Sequence, residues 1–278
     1  MNAAQARSSY SHSLSVDEVV FRLARQAQVD AVLMMGSGAS TILSPSSDID
    51  LLVVLNGEPL AIFMVSTTID QRLSEVYFMR AEELDVLLDR PKAVPDYSVA
   101  ATRLRWIQSG QILFDRSTRL ERSRAVLAGL AQSDWLIPPT DEDIYAAWYA
   151  TNYDLVQTKR LFLSNDPVMA IKVDLRMLFM LDQLWQRYFL VRRIAGMSEK
   201  MRIRWMMKTH APFMARFQAC LAENDRLKKF TAYTELARSA LEPVGGLWPE
   251  EMTAVQLVEG SDPRLAEKQL NLWESWLA

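Results

Sequence analysis

Apolar positions early in the chain fall in short runs that suit strands. Residues 32–35 (VLMM) form one, and Gly36-Ser37-Gly38 stops it. Ile49 with residues 51–55 forms a second, rich in leucine and valine, and Asp48 and Asp50 stand at its start. Upstream, Ser15 and Glu18 have capping-box spacing ahead of Val19, Val20, Leu23 and Ala24, which predicts a first helix over 16–28. Asn56-Gly57-Glu58-Pro59 is turn chemistry. Residues 74–80 read as a third strand that runs at once into a helix over 81–88. Helices over 99–108 and 120–132 follow, and the stretch from Trp135 to Pro139 breaks the pattern. The domain boundary is placed there.

Beyond Thr140 the periodicity is helical throughout. Thr140 precedes Asp141, Glu142 and Asp143, a capping start with acids in the first turn. That helix is expected to reach about residue 163. A longer one over 167–191 carries Ile171, Leu175, Leu178, Phe179, Leu181, Leu184 and Trp185 on nearly all sides, so it is expected at the buried centre of a bundle. Shorter helices are expected over 199–208, 212–222, 225–241, 249–258 and 263–277, with Pro212, Pro249 and Pro263 suited to first turns. The fold class is therefore α+β: a mixed domain over 15–135 and an all-α bundle over 140–278, with residues 1–14 as a flexible arm.

Composition narrows the chemistry. Hydrophobic residues make up 50% of the 278, ample for a core. A net charge of -3 gives no overall pull toward nucleic acid or anionic membrane. Cys220 is the single cysteine, set among apolar helical neighbours, so it is expected to be packed and inert, as suits a reducing cytoplasm. With only His12 and His210 present, histidine-based zinc sites and Cys–His nucleophile pairs are nearly excluded. No window approaches the length of a membrane span, and the first residues lack the apolar core of a secretory signal.

The candidate chemistry lies where the first two runs meet. Asp48 and Asp50 are two apart at a strand start, so their carboxylates share a face. Adjacent carboxylates repel unless a cation lies between them, and hard oxygen donors suit Mg²⁺. Gly36 permits a tight turn whose N–H groups could cradle a phosphate, with the Ser37 hydroxyl as a further donor.

An apolar residue and Gly-Ser, ten residues, then Asp-x-Asp in an apolar strand resembles the nucleotidyltransferase superfamily, with its DNA polymerase β-like palm. Here the residues are Met35-Gly36-Ser37 and Asp48-Ile49-Asp50, and the run from Ser46 to Val54 is similar to the aminoglycoside and minimal nucleotidyltransferase branches. The resemblance implies that the first domain is the palm and that residues 108–115 form its closing strand. It implies two Mg²⁺ ions and a nucleoside triphosphate, with ATP the first choice, as substrate. It implies a third metal-binding acid on the neighbouring strand. Glu75 is chosen for that role over Asp70, which Gln71 and Arg72 place in a loop. Asp48, Asp50 and Glu75 would then be the catalytic metal ligands, and Gly36 and Ser37 the phosphate holders.

The chain departs from the Gly-Ser-Arg-x-x-Gly of many aminoglycoside-type relatives: Gly38-Ala39-Ser40-Thr41 lacks both the basic residue and the later glycine. A basic cluster, Arg187, Arg192, Arg193, Lys200, Arg202, Arg204 and Lys208, is one alternative source of charge for a triphosphate, and a solvated helical face is the other reading. All eight tryptophans lie at Trp106 or later, as bundle core or as a wall for ring stacking. The helical domain is expected to take a small polyhydroxyl or amino-sugar-like acceptor, with nucleotidylation of a protein or RNA, or a non-catalytic nucleotide-binding module, as the alternatives.

Overall fold

The computed structural model describes residues 14–36, 47–57, 62–89, 93–194, 196–249 and 263–277. Ser37, the expected arm before residue 14, Glu58-Pro59 and nearly all of the expected helix over 249–258 lie outside these residues. The chain divides into two compact units between Pro138 and Pro139.

The first unit is built on a five-stranded mixed sheet of order β3-β4-β2-β1-β6. Its strands are β1 (Val29–Met35), β2 (Ile49–Leu55), β3 (Met64–Ile69), β4 (Arg72–Arg80) and β6 (Gln111–Asp115). The central pair β1–β2 is antiparallel, β2–β4 is parallel, and β3 and β6 close the edges antiparallel to their neighbours. Apolar runs replace alternation in β1 and β2 because both faces are covered. One face carries Val32, Ile49, Leu51, Val53 and Val76 against Val16, Val19, Val20 and Leu23 of α1 (Val16–Ala24). The other carries Ala31, Leu33, Met35, Leu52 and Val54 against α2 (Ala81–Asp89), α3 (Val99–Ser109) and α4 (Arg119–Ala128). A one-turn helix, α5 (Gln132–Trp135), and a two-residue parallel pair, β5 (Val94–Pro95) with β7 (Leu136–Ile137), complete the unit.

Local chemistry explains the element ends. The Ser15 hydroxyl accepts from the Glu18 N–H, as the capping-box spacing requires, yet α1 stops at Ala24 rather than near residue 28. Residues 25–28 turn instead, and Arg116 holds them by donating to the Ala24, Gln26 and Val29 carbonyls. The expected elements include no strand over 64–69. β3 is an edge strand with exposed polar positions, joined to β4 through Asp70 and Gln71, both at positive φ (49° and 58°). This is the twist-matched two-residue hairpin geometry, which aspartate tolerates at the first position.

The second unit is all helical: α6 (Asp141–Leu161), α7 (Pro167–Leu190), α8 (Glu199–Thr209), α9 (Ala211–Ala222), α10 (Arg226–Leu241) and α11 (Pro263–Leu277). Thr140 and Asp143 form a reciprocal capping box on α6, and Asp166 caps α7. Its core joins Met177, Met180, Leu184, Trp185, Tyr188 and Phe189 of α7 to Met206, Phe213, Phe217, Cys220, Tyr233 and Leu236. Cys220 is buried, and burial pushes its thiol pKa up, so it stays an inert thiol.

One expectation for this unit is wrong in an informative way. The first half of α7 buries a narrow stripe, Val173 and Met177, while Ile171, Leu175, Leu178 and Phe179 are exposed. Only from Met180 onward is the helix enclosed on several sides. An apolar residue count cannot distinguish a helix wrapped by neighbours from one with a bare apolar face.

Candidate active site

The two aspartates and the glutamate come to one end of the first unit's sheet. Asp50 is the second residue of β2, and its register partners are Met35 on β1 and Glu75 on β4. Partners in a parallel pair point to the same face, so the Asp50 and Glu75 carboxylates lie side by side. Asp50 stands two residues before Leu52, and Glu75 two before Tyr77, which places both on the α2–α4 face. Asp48 directly precedes β2 and is half-buried. Beside it, the Arg72 Nη1 donates to the Ser47 carbonyl at 2.9 Å and fixes the entry of β2 to the start of β4.

Gly36 sits over this pair. Its φ is +60°, the left-handed region that glycine occupies without cost, and a Cβ built there would lie 2.9 Å from the Asp50 Oδ2. The turn and the carboxylate therefore require glycine for two separate reasons. Gly36→Ala is expected to cost roughly 1–3 kcal/mol through backbone strain, read in a urea melt, and to push the Asp50 side chain aside. An unchanged melting curve would show that the turn relaxes freely.

Tyr77 was not singled out from the sequence, although its place two residues after Glu75 on a strand put it on the same face. Its hydroxyl donates to the Glu75 Oε2 at 2.6 Å. Its ring is wedged between Trp106 of α3, centroids 4.9 Å apart, and Phe63 at 5.6 Å. Burial pushes the Tyr77 pKa up to about 12, helped by the hydrogen bond to Glu75 and by the charges of Glu75, Asp50 and Asp48. All three carboxylates are thus near enough to be felt at one hydroxyl, and Tyr77 stays a neutral donor that fixes the Glu75 carboxylate.

Among the described residues, no three carboxylate, imidazole or thiolate side chains are gathered tightly enough to grip one ion. The part of the expected triad that shares a register is Asp50 with Glu75. That is compatible with Mg²⁺, which binds through one or two carboxylates together with substrate phosphates rather than in an all-protein cage. Ser37 lies outside the described residues, so of the two expected phosphate holders only Gly36 is placed.

Asp70 belongs to the structure of the unit. Its Oδ2 accepts from the Val16 N–H at 3.1 Å, and its own N–H donates to the Leu14 carbonyl, so it ties the β3–β4 hairpin to the start of α1. Glu75→Gln is accordingly expected to impair divalent-ion binding, and Asp70→Asn to leave it unchanged while loosening α1. Titration of Mn²⁺ against each variant checks this, and the reverse outcome would remove Glu75 from the site.

The charged clusters of the second unit have structural work of their own. Arg187 donates to Thr151 and pairs with Asp154. Arg192 lies 3.9 Å over the Tyr188 ring and donates to the Ser239 and Ala240 carbonyls. Arg202 is buried, bonded to Gln186 and over the Phe189 ring. Arg193 pairs with Asp141, and the Asp143 carboxylate is consumed by the α6 cap. Arg187, Arg192 and Arg202 are therefore internal scaffolding, whereas Lys200, Arg204 and Lys208 are exposed.

No family model matches the chain, and no curated protein does. Among solved structures it is similar to the crystal structure of a nucleotidyltransferase-like protein from Exiguobacterium sibiricum 255-15. That likeness has a TM-score of 0.40 and 11% identity, over 92% of this chain and 86% of that one. At that level it carries no argument about chemistry, which has to stand on the residues of the site. Among the described residues no helix is long and apolar enough to cross a membrane.

Proposed function

We propose that the protein is a Mg²⁺-dependent nucleotidyltransferase. It would move a nucleoside monophosphate from a nucleoside triphosphate, ATP in the first instance, to a hydroxyl of a small polyhydroxyl or amino-sugar-like acceptor. The observation that carries this reading is the pairing of Asp50 with Glu75 across β2 and β4, beneath a turn where Gly36 alone leaves the carboxylate room. The Mg²⁺ ion would neutralise phosphate charge and make the acceptor hydroxyl more acidic.

The chain's own residues have defined parts. Asp50 and Glu75 would hold the cation, with Asp48 at the strand mouth as a further oxygen donor. Tyr77 orients Glu75 through the 2.6 Å hydrogen bond. Gly36, together with Ser37, would receive a phosphate. In the transfer, the acceptor oxygen bonds to the α-phosphorus, the bond from that phosphorus to the bridging oxygen breaks, and pyrophosphate leaves. The hydroxyl proton passes to a site carboxylate, for which Glu75 is the choice. Such transfer needs positioning and charge neutralisation more than covalent catalysis.

The acceptor class draws support from a separate helical unit over 139–278 and from a net charge of -3, which offers no basic excess for nucleic acid. Of the acidic run at the start of α6, Asp141 and Asp143 are engaged, so Glu142 is the member left to attract an amine. The test is transfer from labelled ATP, GTP, CTP and UTP to aminoglycosides, lincosamide-like sugars, tRNA and candidate proteins. Transfer to tRNA or to a protein hydroxyl, with none to any small molecule, would replace this acceptor with a macromolecular one.

A further inference from the structure

The row that pairs Asp50 with Glu75 continues one strand further. On β3, Ser66 is the register partner of Glu75, and Met64 that of Tyr77. Partners in an antiparallel pair share a face, so the Ser66 hydroxyl stands beside the Glu75 carboxylate on the edge strand, where it is exposed. Phe63 lies just ahead of β3. Its ring meets the Tyr77 ring edge-on at 5.6 Å, and the Arg103 guanidinium of α3 lies over it at 5.7 Å. Phe63 is nevertheless 54% exposed. Tyr77 alone spans the gap between the acid and this ring. Its hydroxyl is 2.6 Å from Glu75 Oε2, its ring packs on Phe63, and Trp106 holds it from the other element.

We propose that this stretch is the nucleoside subsite of the triphosphate, with the base stacked on Phe63 and Arg103 and a ribose hydroxyl bonded to Ser66. The assignment rests on the nucleotidyltransferase reading and adds which residues grip the nucleotide beyond its phosphates. The phosphates belong with the cation at Asp50 and Glu75. The base then has to lie a ribose away, a span comparable to the tyrosine side chain that separates Glu75 from Phe63. Aromatic rings and arginine planes are the groups on which bases stack. Arg103 suits stacking rather than phosphate, because Glu83 already pairs with it at 2.5 Å and balances its charge. Ser66 is a neutral hydroxyl, which donates to and accepts from a ribose hydroxyl without adding charge beside the acids. Every base has a face to stack, so the subsite selects for a nucleoside more than for one base, with purines favoured by their larger rings.

The test is calorimetric titration of the full chain, in Mn²⁺, with a non-hydrolysable ATP analogue and with tripolyphosphate, which has the phosphates and no nucleoside. The wild type should bind the analogue at least tenfold more tightly. Phe63→Ala and Phe63→Leu should each weaken the analogue about tenfold or more, the scale of losing one base–aromatic stack, and leave tripolyphosphate unchanged. Unchanged tripolyphosphate binding also shows that the fold and the cation site are intact. Phe63→Trp should keep the preference. Ser66→Ala should weaken the analogue severalfold and its dideoxyribose counterpart not at all; an equal loss for both would overturn the role of Ser66. Equal binding of the analogue by wild type and Phe63→Ala, with binding lost in Asp50→Asn, would overturn the subsite and leave the transferase reading standing. A wild type that binds neither probe would overturn both.

Discussion

Asp50→Asn keeps the fold and lowers divalent-dependent nucleotide transfer by about a hundredfold or more, the scale of losing one preorganised electrostatic contact at a reacting phosphate. The reason is charge rather than shape. Asparagine fills the same volume beneath Gly36, where a Cβ would stand 2.9 Å from Asp50 Oδ2, so packing at the turn is preserved. What disappears is one of the two register-paired negative charges that would balance the cation. Transfer from labelled nucleotide, calorimetric titration of Mn²⁺ with a non-hydrolysable nucleotide, and a thermal melt separate the possibilities. Loss of transfer and of cation binding with an unchanged melt supports the assignment. Full Mg²⁺-dependent activity in the variant sinks it.

Much of this site is legible in the sequence because it is local. Gly36, Asp48 and Asp50 lie within fifteen consecutive residues, and alternation along a strand is enough to put Asp48 and Asp50 on one face. The place of Glu75 depends on strand neighbours, and nothing local in the sequence says that β4 pairs with β2 in parallel. Tyr77 and Arg72 escaped notice because their roles are set by partners on other elements, Trp106 on α3 and the Ser47 carbonyl. β3 was invisible because an edge strand with Ser66, Thr67 and Thr68 has little apolar pattern to show. Arg187, Arg192 and Arg202 read equally as a triphosphate-binding cluster or a solvated face, because sequence does not reveal the carbonyls, rings and carboxylates that α6, α7 and α10 bring to them.

Asp30→Asn costs the fold about 3 kcal/mol at neutral pH, the low end of the range for breaking a buried ion pair. This is a large share of the 5–15 kcal/mol that typically holds a domain together. Asp30 is buried near the start of β1. It accepts from the Ser117 hydroxyl at 2.6 Å, from Arg119 Nη1 at 3.1 Å and from the Asn56 amide at 3.2 Å. These bonds join the end of β2 and the start of α4 to β1. The low end of the range applies because Arg119 keeps Asp85 at 2.9 Å and is not fully buried. Burial on its own would raise the Asp30 pKa, but the hydrogen bonds from Ser117, Arg119 and Asn56 outweigh it and hold the carboxyl below its ordinary value. A depressed carboxyl gives stability that is complete above the unfolded-state pKa of about 3.9 and is lost as pH falls through the lower folded value. The gap between wild type and Asp30→Asn should therefore be constant from pH 7 to about 5 and close as pH falls below about 4. Asp115 supplies the contrast. Burial raises its pKa and the Asp30 charge adds to that, so Asp115→Asn should lose far less stability at neutral pH than Asp30→Asn does. Urea melts of the three proteins across this pH range read both effects. A gap for Asp30→Asn that stays constant down to pH 2 would show that Asp30 holds its neighbours by shape and not by charge.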